Sequence, residues 1–498
     1  MIINNMECSS VDYSAADYTN ADAVVLMLCK ECAAAIGKLP MPAGVEAAAK
    51  AYTAKYSDIY SVGNISNLTV MNGDKMQQVM IVGCGEGRDC TPNNFRKAAG
   101  VAARALHKLE SEQAVIWAPI LSNPKRAHYL EALVEGIYMG AYQFKEYKSE
   151  TKEVKTCRAT IANKIDNADA ALKSAAIMSC GVSYTRDLVN RPGNAVTPQV
   201  MADEAAKIAS ELNLEIEVLD EQQMAAKGMN SILAVGQGSV HKPRMITLKY
   251  RGAQEPDSPF TAYVGKGITF DSGGISLKPG ENMGEMKDDM AGAGAVLGAI
   301  RTIARMGLPC NIMAVLACAE NMPGGNAQRP GDIVRAGNGK TIEVINTDAE
   351  GRMVLADAVW YACRQGAQRV IDVATLTGAV IIALGNETAG IVANDDELAA
   401  NIKEAGRLTG ESLWQLPSLP DCKEALKSDV ADLVNSVGRP GGCITGGLFI
   451  GEFVDEGTPW VHIDIGGVST AAKTEGFKVK GGTGFGVRTL INFAKSGK

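Results

Sequence analysis

Residues 341–365 read TIEVINTDAEGRMVLADAVWYACRQ, and the fold turns on how this stretch is parsed. Thr341-Ile342-Glu343-Val344-Ile345 is an apolar run of strand character, and residues 353–365 carry a helical pattern. Between them, residues 346–352 (Asn-Thr-Asp-Ala-Glu-Gly-Arg) set two carboxylates two positions apart, where the strand ends and the chain turns. In an extended segment residues i and i+2 point to the same side, so Asp348 and Glu350 can converge on one point. Converging anions repel unless something positive lies between them. A divalent cation does this best, because hard oxygen donors suit Mg, Mn and Zn. The alternative is an acidic turn in which Asp348 or Glu350 caps the next helix, and this stretch alone does not choose.

A second cluster, VGKGITFDSGGISLKPGENMGEMKDDM at 264–290, favours the cation. Tyr263 and Val264 close an apolar strand, Gly265-Lys266-Gly267 follows, Gly273-Gly274 come just after Asp271, and Asp289 opens a small-residue helix over 290–306. Paired glycines allow close backbone approach or positive φ. They hold Lys266, Asp271, Lys278 and Asp289 within one sharply folded segment. Surface ion pairs, worth ~0–1 kcal/mol, account for Lys287 and Asp288. They account poorly for charges alternating with glycines at the end of an apolar strand, where open α/β sheets place their ligands.

Four blocks, VGKGITFDSGG with SLKPG, MKDDMAGAGAV, NTDAEGR, and DVATLTGA at 372–379, resemble in order and spacing the cytosol aminopeptidase family, two-metal peptidases that share NTDAEGR. RDLVNRPGNAVTP (186–198) resembles the start of the family's catalytic domain. Together the likeness covers most of 180–490. It implies a leucyl aminopeptidase-type metalloexopeptidase that removes the first residue, Leu or another mainly hydrophobic one, from peptides. It also implies two divalent metal ions per subunit (Zn, Mn, Co or Mg), a bicarbonate ion, and a homo-oligomer, a hexamer with active sites facing an inner cavity.

The resemblance also implies roles. Asp271 and Glu350 would bridge the metals, Asp348 would complete the more exchangeable position, and Lys266 and Asp289 the tighter one. Lysine ligates only as the neutral amine, which a nearby dication favours. Lys278 would polarise the scissile carbonyl, and Arg352, with Leu376, would hold the bicarbonate that shuttles protons. Two cations about 3.5–4 Å apart would activate a water. The peptide's free amino group on one metal would explain cleavage after the first residue only. Met286, Asn346, Thr375, Gly378, Gly466 and Ser469 would contact the substrate. Departures from the family are Met353, where Leu is usual, and Gly466 and Ser469 within WVHIDIGGVS (460–469), where alanine and methionine are common. The latter two predict a roomier, more polar pocket for the first side chain.

The rest of the chain agrees. Of its four histidines (His107, His128, His241, His462) none adjoins the four family blocks, and HExxH does not occur, which argues against a histidine zinc site or triad. At 498 residues, 46% hydrophobic and 21% charged with net charge −7, the chain supports more than one domain. It offers no electrostatic reason to bind nucleic acid. Twelve cysteines without framework spacing indicate reduced thiols in the cytoplasm. The only CxxC, Cys29 to Cys32, lies in a helix-like run (21–36) and reads as incidental. The N-terminus carries no secretory pattern, and the longest apolar stretch, near 374–384, is too short to span a bilayer, so no membrane partner is expected.

The expected fold class is α/β with two domains. A smaller N-terminal α/β domain with linker occupies 1–165, and a larger catalytic domain with a mixed sheet flanked by helices occupies 166–498. Strands are expected at 79–82 and 114–119, helices at 94–109 and 129–142, and a solvated charge-rich stretch at 145–155 near the join. From about 170, strands at 214–219, 245–250, 262–264, 311–317, 370–373 and 461–465 alternate with helical patterns. Two loops mimic nucleotide sites. Gly83-Cys-Gly85-Glu-Gly87 lacks the third glycine of a dinucleotide loop at the required place and reads as a turn. Gly337-Asn-Gly339-Lys340-Thr341 has Val334 where a phosphate loop needs its first glycine, and reads as a hairpin turn.

Overall fold

The computed structural model describes residues 1–37, 41–150, 153–255 and 257–497. Of the charge-rich stretch 145–155, Thr151 and Lys152 lie outside the described residues. The chain forms two compact units, one of residues 1–183 and 472–480, the other of 184–471 and 481–498.

The first unit is built on seven strands: β1 (Ile2–Ile3), β2 (Met6–Asp12), β3 (Ala23–Leu28), β4 (Ile65–Asn72), β5 (Lys75–Gly83), β6 (Gln113–Trp117) and β7 (Cys157–Asn163). They run in the order β1-β2-β7-β6-β3-β5-β4. The five central strands are parallel to their neighbours, and β1 and β4 close the edges antiparallel. Strand β3, Ala-Val-Val-Leu-Met-Leu, is buried along its whole length, as a strand covered on both faces must be. The run 21–36 is therefore not helical. It is this strand followed by a 3-10 helix, Lys30–Ala35, because β-branched and long apolar residues filled a central strand position. Helices Pro92–Lys108 and Ala127–Gly140 pack apolar faces into one of the two cores. Thr91 caps the first by accepting from Asn94 N–H, with Pro92 in its first turn.

The second unit holds β8 (Glu215–Leu219), β9 (Arg244–Arg251), β10 (Phe260–Asp271), β11 (Asn311–Asn321), β12 (Ile333–Arg335), β13 (Thr341–Glu343), β14 (Ala367–Ala374), β15 (Thr388–Ala393), β16 (Ser412–Gln415), β17 (Leu433–Val434) and β18 (Trp460–Asp464). Eight of these form one mixed sheet, ordered β16-β15-β18-β14-β10-β11-β9-β8. Its middle, β18-β14-β10-β11, is wholly parallel, so four strands end side by side at one edge. The apolar side chains of β10, β11 and β14 pack with those of the helix Glu350–Arg364 in a single core. Strand β10 continues seven residues past Val264, because β11 carries the pairing through the glycine-rich sequence to Asp271, whereas β14 pairs only as far as Gly265. Strands β12 and β13 form the hairpin expected around Gly337-Asn-Gly339, with Gly339 at φ +90°.

Candidate active site

The carboxyl ends of the parallel strands carry the charged residues. Lys266 and Asp271 lie on β10, Asn321 ends β11, Thr375 to Gly378 follow β14, and Asp464 ends β18. Asp271 and Asn321 are register partners across β10 and β11. After Asp271 the chain reverses through Gly273 and Gly274, at φ +88° and +68°, values that glycine alone adopts freely. That turn returns Lys278 toward the strand end. The helix Glu350–Arg364 begins with Glu350 itself, after Ala349 at its N-cap position without a side-chain cap. Asp348 stands in the turn before it. The two carboxylates thus converge through a turn leading into a helix, not through an extended segment, and neither caps the helix.

Oxygens of Asp271, Asp348 and Glu350 lie within 4.8 Å of one another. Lys266 Nζ is 2.8 Å from Asp289 Oδ1 and 2.8 Å from Glu350 Oε1, and donates to the Thr375 carbonyl at 2.7 Å. Lys278 Nζ lies 2.8 Å from Asp271 Oδ2 and 2.5 Å from Asp348 Oδ1. The Asp348 contact lacks hydrogen-bond alignment, and Asp289 Oδ2 is likewise buried without a hydrogen-bond partner. Four carboxylates face two ammonium groups, leaving two negative charges uncompensated in a buried place. Burial, joined by the neighbouring carboxylates, pushes the Asp289, Glu350 and Asp348 pKa values up. Burial opposes the charge on Lys266, but Asp289, Glu350 and Asp271 outweigh it and raise its pKa. This donor set, with excess anionic charge and orphaned oxygens, suits divalent cations.

Other side chains fix the cage. Asp271 Oδ1 accepts from Gly273 N–H at 2.9 Å and from Asn321 Nδ2 at 2.8 Å. Asn321 Nδ2 also donates to the Thr347 carbonyl at 3.1 Å, and Thr375 Oγ1 donates to Asp289 Oδ1 at 2.7 Å. A Cβ on Gly351 would lie 2.6 Å from Lys266 Nζ, so only glycine lets the lysine pass the start of the helix.

A cavity of 260 Å³ opens onto these groups. Lys266, Asp271, Lys278, Asp289, Asp348 and Glu350 line it, together with Met286, Thr375, Gly378, Gly466 and Ser469. Leu376 also lines it, but Asn346 and Arg352 do not. Asn346 shapes the turn instead, its Oδ1 accepting from Asp348 N–H at 2.9 Å. Arg352 is buried, with its Nε unpaired. Its Nη2 and the Leu376 side chain both stand against Gly446. Burial lowers its pKa to about 10, against the pull of Glu350 and Asp464.

The sequence reading missed several contributors. Asp288, taken as a surface charge, lines the cavity with Thr377 and Ile381. Burial, then Glu285, raises the Asp288 carboxyl to about 6. Asn321 was legible only through its register with Asp271. His462, within the 460–469 segment, is buried with its Nδ1 2.5 Å from Asp372 Oδ1, and Asp372 also accepts from Trp460 Nε1 at 2.7 Å. Asp372 opens the 372–379 block, so a histidine does support that block from behind. It is not a ligand of the acidic cluster.

The family model for the catalytic domain of the cytosol aminopeptidase family matches residues 183–491, and that for its N-terminal domain matches 54–151. The chain belongs to the cytosol aminopeptidase family. As a member of the cytosol aminopeptidase family it is a hydrolase, a metal-dependent aminopeptidase. It is 42% identical over 445 residues to a probable cytosol aminopeptidase of Alkaliphilus oremlandii, covering 88% of this chain and 87% of that one. It is 41% identical over 441 residues to one of Clostridium perfringens, covering 87% and 89%. Among solved structures it is similar to a mutant of tomato leucine aminopeptidase, with TM-score 0.87 and 31% identity over 99% of this chain and 96% of that chain. It is also similar to the bottromycin maturation enzyme BotP in complex with Mn, with TM-score 0.84 and 33% identity over 96% and 99%. No helix among the described residues is long and apolar enough to cross a membrane.

Proposed function

We propose that this aminopeptidase holds two divalent metal ions per subunit and removes N-terminal Leu and other mainly hydrophobic residues from peptides. The observation that carries the reading is the convergence of four carboxylates on two lysines at the floor of one cavity. Lys266 and Asp289 would complete the tighter position, Asp348 the more exchangeable one, and Asp271 and Glu350 would serve both. When bound, divalent cations supply Lewis acidity, lowering the pKa of water and polarising a carbonyl. Manganese in the similar BotP structure supports a divalent ion of the Zn, Mn, Co or Mg group.

Burial opposes the charge on Lys278, but Asp271, Glu350 and Asp348 outweigh it and raise its pKa. Its ammonium is therefore preorganised beside the place where the peptide oxygen gains charge. The buried guanidinium of Arg352, with Nε unpaired, suits a small anion, and with Leu376 it would hold bicarbonate, whose chemistry is proton transfer. Asn346 would act on substrate through the turn it holds. Gly466 presents bare backbone to the cavity, since a Cβ there would meet the Thr377 carbonyl at 2.7 Å, and Ser469 adds a hydroxyl. The first-residue pocket is therefore read as roomy and partly polar. A panel of aminoacyl fluorogenic substrates tests this: turnover of Leu and Met with measurable polar residues is expected, and a Leu-only profile contradicts it. The family likeness further supports a hexamer working in the cytoplasm, and sedimentation equilibrium of the purified chain tests the assembly. Chelation followed by assay of an aminoacyl amide tests the whole reading. Activity should vanish and return with Mn or Zn.

A further inference from the structure

We propose that Cys29 and Cys32 form a dithiol–disulfide couple in the first unit, a modification site outside the residues of the peptidase centre. Cys29 follows β3, and Cys32 lies one turn into the 3-10 helix Lys30–Ala35, its N–H donating to the Cys29 carbonyl at 3.0 Å. In 3-10 geometry residues i and i+3 eclipse with a rise of about 2 Å per residue. This sets their Cα atoms about 6 Å apart, within the span a disulfide bridges. The two Sγ atoms are already 3.0 Å apart.

A third thiol, Cys90, stands near Cys29 on the neighbouring loop, whose position is fixed by Tyr129 Oη donating to the Cys90 carbonyl at 2.8 Å. Glu31 ties the two loops together by accepting from Gly87 N–H at 2.5 Å. Among the described residues no three thiols approach closely enough to share a cation, which favours a disulfide over a zinc site.

The oxidant is a small-molecule disulfide. Cys32, partly exposed while Cys29 is 2% exposed, loses its proton and attacks one sulfur of the oxidant. The S–S bond of the oxidant breaks, and its other sulfur leaves as a thiolate that takes up a proton. Cys29, deprotonated in turn, attacks Cys32 Sγ, forms the protein disulfide and expels the second thiol. Two cysteines are oxidised and one disulfide is reduced to two thiols. The hydrogen bond with Cys32 lowers the Cys29 pKa, but Cys90 and burial outweigh it and push it up to about 12. The hydrogen bond to Cys29, then burial, raises Cys32 also. Exchange is therefore slow near neutrality and speeds up with pH, since the thiolate is the nucleophile.

The test incubates the full chain with oxidised glutathione, blocks remaining thiols with N-ethylmaleimide, and maps peptides by mass spectrometry. The expected product is a peptide in which Cys29 and Cys32 are both unblocked and two hydrogens are missing, forming about tenfold faster per pH unit below the thiol pKa. Cys32→Ser, or Cys32→Ala if the serine variant misfolds, should abolish it, whereas Cys84→Ser should not. Full blocking of Cys29 and Cys32, or a lasting glutathione adduct on Cys32 without ring closure, overturns the proposal.

Discussion

Lys278 and Arg352 stand beside the acidic cage, and the account gives them no part in holding metal. Lys278→Ala should keep the metal content yet lower kcat by about 10²–10³-fold, the usual cost of removing one preorganised charge at a developing oxyanion. Arg352→Ala should likewise retain metal and lose most turnover. Elemental analysis beside kinetics checks both, and metal loss in either variant contradicts the assignment. Asn321 works differently. Its amide spans Asp271 Oδ1 and the Thr347 carbonyl, orienting a carboxylate from one strand against the turn that carries Asp348. Asn321→Ala should weaken metal affinity by about 10–100-fold while leaving the thermal transition nearly in place. Unchanged affinity by competition with a chelating dye would show that the amide orients nothing.

At the scale of elements, the helix Glu350–Arg364 is anchored at its start and at its middle. Glu350 enters the site, and Asp357 accepts from Ile232 N–H at 2.9 Å and Gly337 N–H at 2.8 Å. Burial raises the Asp357 carboxyl to about 7 from 3.8, although the backbone donors pull it down. Between those values the folded chain keeps a proton that the unfolded chain has released. Stability from this group is thus greatest below about pH 4 and is lost as pH rises through 7. Asp357→Asn should remove that part of the slope. Urea midpoints at pH 5 and pH 7.5 check it, and an equal slope in both proteins refutes the assignment. This helix, the parallel strands and the metal-type cluster were legible because apolar runs and NTDAEGR state their chemistry locally. The length of β10 was not, since Gly265 and Gly267 read as a break until β11 supplies pairing through to Asp271. The strand β3 hid for a related reason: an all-apolar run has no period, and only its place between β6 and β5 decides its type. Asn321 and His462 stayed silent because their side-chain partners are 26 to 90 residues away, and Asp288 because its burial comes only with the closed cavity.

The whole molecule separates two tasks. The second unit alone supplies every residue of the acidic cavity, all within 184–471, while the first unit, with its own cores and sheet, supplies none. The proposed catalysis therefore belongs to the fold of the second unit, where four parallel strands end together and, with the turns beside them, gather two lysines and four carboxylates. The account stands or falls on how many cations that point holds. The direct measurement is metal content per chain, by plasma mass spectrometry, on protein stripped with chelator and then reloaded stepwise with Mn or Zn while aminoacyl amide hydrolysis is followed. The account predicts that content rises to two ions per chain and that activity returns with them, and that Asp271→Asn combined with Glu350→Gln loses both together. Full activity with one ion per chain, or undiminished metal content in that double variant, would contradict it.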